Sequence, residues 1–188
     1  PVAHSFPTRR SSDLAVFTAS ALTRGAEGYG ATELEDYLAD RAASLTASAG
    51  RETFAAGAMY PARFSADVLG LLKRVLTRPT FAPQELERAR ADQLAAIRAR
   101  MDQPLGLAFR ELFPFLFADA PYDFHHRGTP ETVAGFTADQ ARELWRRQRS
   151  APFVLAVCGE FDAAEVEAWA ADLAKALGSG GAAPAPAA

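Results

Sequence analysis

The densest group of side chains that could do chemistry lies in one polar stretch in the second half of the sequence. Its imidazole, carboxyl, phenol and guanidinium groups belong to Asp119, Tyr122, Asp123, His125, His126, Arg127 and Glu131. Histidine beside carboxylates can bind a divalent metal, and an imidazole can exchange a proton near neutral pH. Adjacent side chains of an extended loop point apart, so His125 and His126 share one ion poorly. We expect a solvated loop in which Asp123, His125, His126 and Arg127 make peptide contacts or weak metal contacts.

The remaining candidate nucleophiles lack activating neighbours. Thr18 and Ser20 have no histidine or lysine close by in the sequence that could take a proton from their hydroxyl groups. Cys158 is the only cysteine, which excludes an intrachain disulfide and a cysteine-based metal site. Because it ends an apolar run, we expect an inert buried thiol. The cations of Arg146, Arg147 and Arg149 are expected at the end of a helix, where they interact favourably with its dipole, and a peptide or partner contact is the second interpretation.

Composition narrows the function classes. The chain has 188 residues and 49% apolar side chains, enough for one domain with a packed core. Its net charge is −3 with both signs mixed, so it presents no basic surface for nucleic acid or for an anionic membrane. Its apolar runs are too short to span a bilayer. We therefore expect neither nucleic acid nor membrane as a partner, while the compartment, cytoplasm or periplasm, stays open.

The two ends differ in composition from the rest of the chain. Residues 1–13 show no apolar period, and the stretch Phe6 to Leu14 resembles translated sequencing-adapter read-through, so we expect a non-native or disordered arm. Residues 178–188 are rich in glycine, alanine and proline, which predicts a flexible linker. The folded domain is expected over residues 14–177, as one piece of a longer protein.

Helix and turn signals divide this domain. Asp13 and Gly25 are expected to begin and end a first helix, and a capping box of Thr32 and Glu35 begins a second. Gly50 lies between two short runs and predicts a hairpin. Later helix boundaries are predicted from Ser65, Pro83, Pro104, Pro114, Thr137, Asp162 and Gly178. The helix that begins at Pro83 has one charged face, which is expected to be solvated.

One apolar run has the pattern of a central strand. The run from Phe153 to Cys158 stops at Gly159, as is typical of a strand buried on both faces. Few strands among many helices predict an α+β domain with two layers. We also expect that one or two native strands are missing before residue 15.

Taken together, these segments resemble the insulinase or pitrilysin-type zinc peptidases, the M16 family. The likeness covers residues 14–177 and rests on the order of several short pieces, none of which is specific alone. The pieces are Leu22 to Gly25, Ala39 to Ala47, Leu71 to Phe81, Glu87 to Arg90, Asp102 to Pro104, Ala120 to Tyr122, Arg127 to Glu131 and Val157 to Asp162. The resemblance implies a two-layer α/β-roll, in which helices cover a mostly antiparallel or mixed sheet.

The resemblance also shows where the zinc chemistry of active members would lie. Those members carry a His-x-x-Glu-His helix, whose two imidazoles bind zinc from one face while the glutamate activates water. Aligned on Gly25, these positions fall on Val16, Ala19 and Ser20, and the third ligand, a glutamate, falls at or beside Ala96. The resemblance therefore implies a non-catalytic unit without a cofactor of its own and inactive alone, with zinc in an active partner unit.

Three functions remain open at this level. The resemblance implies a unit that lines a peptide-holding chamber, contacts unfolded peptide and supports an active M16 unit in the same chain or in a partner. A metal-dependent hydrolase or metal-binding protein that uses the Asp123, His125 and His126 loop is the alternative from a different class. A purely structural assembly subunit is the third.

Overall fold

The architecture is helical around one small sheet. The computed structural model describes residues 9–50, 53–117 and 126–178, with side chains from residue 12 onward. Its elements are α1 (Arg9–Leu22), α2 (Ala31–Ala39), β1 (Ser44–Ala49), β2 (Phe54–Met59), a 3-10 turn (Ala62–Phe64), α3 (Ser65–Thr77), α4 (Pro83–Met101), α5 (Pro104–Leu116), α6 (Pro130–Ala134), α7 (Ala138–Gln148) and α8 (Ala163–Leu177). Within the described residues, β1 and β2 form a two-stranded antiparallel sheet with Ala47 opposite Ala56. The predicted α+β class and the hairpin at Gly50 are confirmed.

The core is built around α1. This helix contacts α4, α6, α7 and β1. Phe17 and Leu22 on its inner face are fully buried. The Phe17 ring lies 5.5 Å from the ring of Phe136, centroid to centroid, and the Arg90 guanidinium lies 5.4 Å from the Phe17 centroid. Because side chains from several elements meet at Phe17, α1 is held in place by packing rather than by its own helix propensity.

Local start and stop signals predicted most helix ends correctly. Pro83 and Pro104 are the first residues of α4 and α5. The side chains of Thr137 and Asp162 each accept a hydrogen bond from a backbone N–H in the first turn of α7 and of α8. Gly178 ends α8 in the left-handed conformation, with φ of 75°. These signals involve only neighbouring residues, so they hold without knowledge of the tertiary structure.

Two predicted helix starts are wrong. α1 begins at Arg9 rather than at Asp13, whose carboxylate accepts from the Leu14 N–H at 2.8 Å inside the helix. α2 begins after Gly30, and the Glu33 carboxylate accepts from the Gly30 N–H at 2.8 Å. The capping box expected two residues later is not used, because glycine can adopt the extended cap conformation and Glu33 already satisfies its backbone donor.

The predicted central strand is not formed. Residues Phe153 to Cys158 lie outside helices and strands, and their backbone groups make no hydrogen bond to the described part of the chain. Val154 is 87% exposed, while Phe153, Leu155 and Val157 are each about 40% exposed. A central strand needs a pairing strand on each side, and none of the described segments supplies one here. Cys158 is consequently exposed rather than buried.

The charged face of α4 is only partly solvated. Glu85 pairs with Arg88 at 2.9 Å, and the Arg88 side chain is 55% exposed whereas that of Glu85 is 12% exposed. Arg90 instead turns inward, where its guanidinium donates to the carbonyl of Val133 and, at 2.7 Å, to the carbonyl of Phe136. It thereby satisfies two backbone acceptors at the end of α6 while lying over an aromatic ring of α1.

The apolar face of α5 faces outward. Leu105 is 68% exposed and Phe115 is 81% exposed, and α5 has no buried residue. Its end at Leu116 follows shortly after Pro114, as predicted. None of the helices in residues 9–50, 53–117 and 126–178 has the length and apolar character needed to cross a membrane.

Gly25 is a position where the backbone requires glycine. Its φ is +142°, and an added Cβ would lie 2.8 Å from the Thr80 hydroxyl oxygen. Gly25→Ala is therefore expected to lower the free energy of unfolding by about 2–4 kcal/mol, through backbone strain and overpacking. Urea denaturation measures the change. Gly70→Ala is the matched control, because a Cβ there meets no atom within 4 Å on the exposed side of α3. It is expected to stabilise the fold by about 0.5–1 kcal/mol, and equal losses in both variants would contradict the assignment.

Candidate functional site

A groove of about 510 Å³ runs between α1, α2 and β1. Its lining residues are Val16, Ala19, Ser20, Thr23, Arg24, Leu34, Glu35, Leu38, Leu45, Thr46, Ala47, Ser48, Ala49 and Arg127. Positions three and four apart share one face of a helix, so α1 presents Val16, Ala19 and Ser20 together. The three positions that the resemblance matches to the zinc-binding motif therefore line one wall of this groove.

The opposite wall is the edge of β1. Every residue from Leu45 to Ala49 lines the groove, although alternate side chains of a strand point to opposite faces. Contact along consecutive residues places the strand backbone itself against the groove. In the described part of the chain β1 pairs only with β2, so the N–H and C=O groups of its other edge are available for main-chain pairing.

Arg24 is fixed at one end of the groove. Its guanidinium lies 2.5 Å from the Asp92 carboxylate and donates to the Ser20 carbonyl at 3.1 Å. These two bonds join the last turn of α1 to α4. Glu35 on α2 is the single carboxylate among the residues described along the groove. The remaining lining is mostly hydrocarbon and hydroxyl, a surface that can contact a peptide without selecting one charge.

Gln93 holds the loop of Arg127 against the start of α1. This side chain is 4% exposed, and its amide nitrogen donates to the carbonyls of Asp13 at 3.1 Å and Arg127 at 2.8 Å. The loop passes close to α1 at Gly128, where an added Cβ would lie 2.6 Å from the Asp13 carboxylate. Arg127 reaches the groove because this packing positions its backbone.

The polar loop predicted from the sequence is described only in part. Asp123 and His125 lie outside the described residues, whereas His126 and Arg127 are half-buried. Among the described residues of this loop, Arg127 lines the groove. Further along, a hydrogen bond with Thr129 holds the pKa of Glu131 below its ordinary value. The structure thus brings Arg127 together with the α1 positions and leaves the other predicted contacts as predictions.

Thr18 and the arginines at the end of α7 make contacts within the fold rather than in the groove. The Thr18 hydroxyl is fully buried and donates to the Leu14 carbonyl at 2.8 Å, so it is not available as a nucleophile. The arginines at the end of α7 make specific contacts, and Arg149 donates to the Thr77 carbonyl at 3.1 Å. Arg146 and Arg147 pair with Glu143, which lowers the pKa of that carboxyl through the hydrogen bond from Arg146.

The groove does not offer a zinc site. Zinc in proteins is bound by imidazole, thiolate and carboxylate groups, whereas Val16 and Ala19 carry hydrocarbon and Ser20 a hydroxyl. Ala96 is half-buried on α4 and does not belong to the groove lining. Across residues 9–50, 53–117 and 126–178, no three His, Cys, Asp or Glu side chains are grouped so as to hold a metal ion. The side chains that line the groove therefore do not fit the zinc that the resemblance implies for active members.

Sequence reasoning missed the α2 and β1 walls. The sequence predicts a helix cap at Glu35 and a hairpin that contains Thr46 and Ser48, and neither pattern indicates a groove. A run of small residues between two turns signals a strand but not which of its edges stays open. That information exists only once α1 and α2 are packed beside β1.

Comparison with solved structures identifies the fold. The chain superposes on an inactive M16 peptidase domain from Pseudomonas fluorescens with a TM-score of 0.81 at 22% identity, covering 97% of this chain and 45% of that one. It superposes on the periplasmic protease PqqL from Escherichia coli with a TM-score of 0.73 at 17% identity, covering 97% of this chain and 21% of that one. A protease from Helicobacter pylori gives a TM-score of 0.66 at 14% identity, covering 76% of this chain and 35% of that one.

The match spans less than half the length of each of these proteins. No model of a known protein family matches the sequence, and no curated protein matches it. The predicted M16-type α+β fold is therefore confirmed by structure.

Proposed function

We propose that this chain, which has the fold of an inactive M16 peptidase domain, is a non-catalytic unit that holds unfolded peptide beside an active unit. The active unit belongs to the same chain or to a partner, and the zinc of the assembly is bound there. The observation that carries this proposal is the groove between α1 and β1. An open strand edge faces Val16, Ala19 and Ser20, none of which offers a metal ligand.

The β1 edge supplies a general way to hold an extended peptide. A peptide that adds to a sheet edge binds through its main chain, so its affinity depends little on sequence. The side chains of Val16 and Leu45 offer hydrocarbon contacts, and Arg24, Glu35 and Arg127 place both signs of charge along the lining. This combination suits a lining that contacts many unfolded sequences weakly rather than one ligand tightly.

Photocrosslinking tests the location of the peptide. An unfolded peptide of about 20 residues, long enough to span the groove in an extended form, carries a benzophenone amino acid and is irradiated with the purified chain. We expect the crosslinks to map by mass spectrometry to α1 and β1. Ser20→Trp, which places an indole in the groove, is expected to reduce the crosslinked yield at least about fivefold, since it blocks the peptide path.

Ala66→Trp is the matched control for this experiment. Ala66 is exposed in the first turn of α3 and does not belong to the groove lining. Its crosslinked yield is expected to equal that of the unmodified chain. Crosslinks that map away from α1 and β1, or an equal loss in both tryptophan variants, would contradict peptide binding in the groove.

The proposed non-catalytic role predicts that the purified chain binds no stoichiometric zinc and cleaves no peptide. Elemental analysis after dialysis against zinc and a fluorogenic peptide assay measure the two properties. The variant that combines Val16→His with Ser20→His is the positive control, because imidazoles at i and i+4 on one helical face chelate a single ion. We expect it to bind zinc at least about tenfold more tightly than either single-histidine variant, through the higher effective concentration of the second ligand.

Hydrolysis by the unmodified chain that EDTA abolishes would contradict a non-catalytic role. Zinc binding that is lost in His125→Ala would instead favour the alternative metal site on the Asp123, His125 and His126 loop. Equal zinc affinity of the single and double histidine variants would show that positions 16 and 20 do not share a face.

A further inference from the structure

A second cavity, of about 630 Å³, lies where α3, α8 and the end of α7 meet. Four of the described side chains that line it are cationic and one is a carboxylate. The lining residues are Glu27, Gly70, Lys73, Arg74, Thr77, Arg78, Arg149 and Ala176. The described lining of this cavity shares no residue with that of the α1–β1 groove. Since the whole chain has a net charge of −3, this local excess of cations runs against its composition.

Two of the four cations are compensated within the fold and two are not. Lys73 pairs with Asp172 of α8, and Arg78 pairs with Glu27. Arg74 and Arg149 form no ion pair with any carboxylate in the described part of the chain. They come from two different elements, α3 and the end of α7. The cavity therefore presents two uncompensated guanidinium groups.

Both guanidinium groups are held in place and keep donors for a ligand. The Arg149 Nη1 donates to the Thr77 carbonyl at 3.1 Å, which ties this side chain to the last turn of α3. The Arg74 guanidinium lies 5.4 Å from the centroid of the Tyr29 ring. A guanidinium carries five N–H donors, and these contacts use one hydrogen bond and one ring face. The remaining N–H groups can bind an anion.

The walls of the cavity are fixed, and small residues keep it empty. The Glu27 N–H donates to the Arg78 carbonyl at 2.9 Å, and the Trp169 indole of α8 donates to the Leu69 carbonyl of α3 at 3.1 Å. Between these two contacts, a Cβ added at Gly70 would meet no atom within 4 Å. A volume of this size lies within the range of small-molecule sites.

We propose that this cavity binds a diphosphate group, with Arg74 on one phosphate and Arg149 on the other. A guanidinium fork matches two phosphate oxygens and keeps its charge at every physiological pH. Two uncompensated cations suit two anionic groups that are linked through one bridging oxygen. Neighbouring carboxylates of an extended acidic peptide point to opposite sides, so they suit one cavity less well. This site does not depend on peptide binding in the α1–β1 groove and goes beyond the proposed function.

Isothermal titration calorimetry in metal-free buffer tests the ligand class. Inorganic pyrophosphate is expected to bind at one site, at least about tenfold more tightly than inorganic phosphate, because the second phosphate adds charge-assisted hydrogen bonds. ADP is expected to bind and to be displaced by pyrophosphate, while adenosine does not bind. Tighter binding of ADP than of pyrophosphate would assign an organic diphosphate, and equal affinities would assign the inorganic one.

Ala176 offers a test that leaves all four cations in place. Ala176 is exposed on α8 and lines the cavity, so a longer side chain there is expected to leave the fold intact. Ala176→Glu places a carboxylate beside the cations and is expected to lower the pyrophosphate affinity at least about tenfold. Ala176→Gln has the same shape without the charge and is expected to lower it by less than about threefold. Equal losses in the two variants would overturn recognition by charge.

Arg74→Gln removes one of the two proposed ligands and is expected to lower the pyrophosphate affinity at least about tenfold. Arg88→Gln is the matched control, because Arg88 is 55% exposed on α4 and does not line the cavity. Its affinity is expected to equal that of the unmodified chain. The proposal is overturned if the unmodified chain binds no pyrophosphate, or if both arginine variants lose affinity equally. It is also overturned if a glutamate-rich peptide binds there more tightly than pyrophosphate, which would indicate an acidic protein partner.

Discussion

Phe17→Ala is expected to lower the free energy of unfolding by about 3–5 kcal/mol, the cost of removing a large buried aromatic ring. Phe17 is fully buried in α1, 5.5 Å from the Phe136 ring. The Arg90 guanidinium over its face would lose its aromatic contact and border a cavity. Since α1 contacts α4, α6, α7 and β1, the cavity opens where most of the domain meets. Denaturant unfolding followed by circular dichroism gives the change directly.

Phe115→Ala is the matched control for that variant. The same ring is removed, but Phe115 is 81% exposed on α5. Its free energy of unfolding is expected to change by no more than about 0.5 kcal/mol, as is usual for surface substitutions. Similar losses in the two variants would mean that α1 is not the centre of the core.

Trp145→Ala is expected to cost about 3–5 kcal/mol as well, since it removes the largest side chain that joins α7 to the hairpin. Trp145 is 7% exposed, its indole N–H donates to the Leu76 carbonyl at 3.0 Å, and its ring lies 5.1 Å from that of Phe54. The loss of this packing destabilises β2 and, because β2 pairs with β1, it also destabilises β1. We therefore also expect faster amide hydrogen exchange in both strands, measured by mass spectrometry.

Trp145→Phe separates the hydrogen bond from the packing. The smaller aromatic ring keeps most of the contact with Phe54 but leaves the buried Leu76 carbonyl without its donor, at a cost of about 1–3 kcal/mol. Exchange in β1 and β2 should then stay close to that of the unmodified chain. If Trp145→Ala destabilised the domain without changing exchange in the strands, the tryptophan would not support the β1 wall of the groove.

What the sequence predicted well involved neighbouring residues. The proline at the start of α4, the Thr137 cap of α7 and the glycine that ends α8 act within one turn of helix, so their effect does not depend on the rest of the fold. The placement of Val16 and Ser20 on one face follows from helical spacing in the same way. The start of α2 was misplaced because Gly30 and Glu33 formed an equally local cap just before the predicted one.

What the sequence could not predict depended on contacts between distant segments. The apolar run from Phe153 to Cys158 predicts a buried strand. Burial as a strand needs neighbouring strands, which the described residues do not provide. Arg90 looked like a member of a solvated face, yet its partners are the carbonyls of Val133 and Phe136, far along the chain. The edge of β1 that no described strand pairs with is likewise a property of the assembled fold.

The exposure of the lone thiol at Cys158 has a practical consequence for studying this domain in solution. With no second cysteine in the sequence, a maleimide dye attaches at one known place without prior removal of other thiols. The tryptophans at positions 145 and 169 can serve as energy donors to that dye. The efficiency of this energy transfer reports the distance from the dye, between α7 and α8, to the tryptophan on each of these two helices.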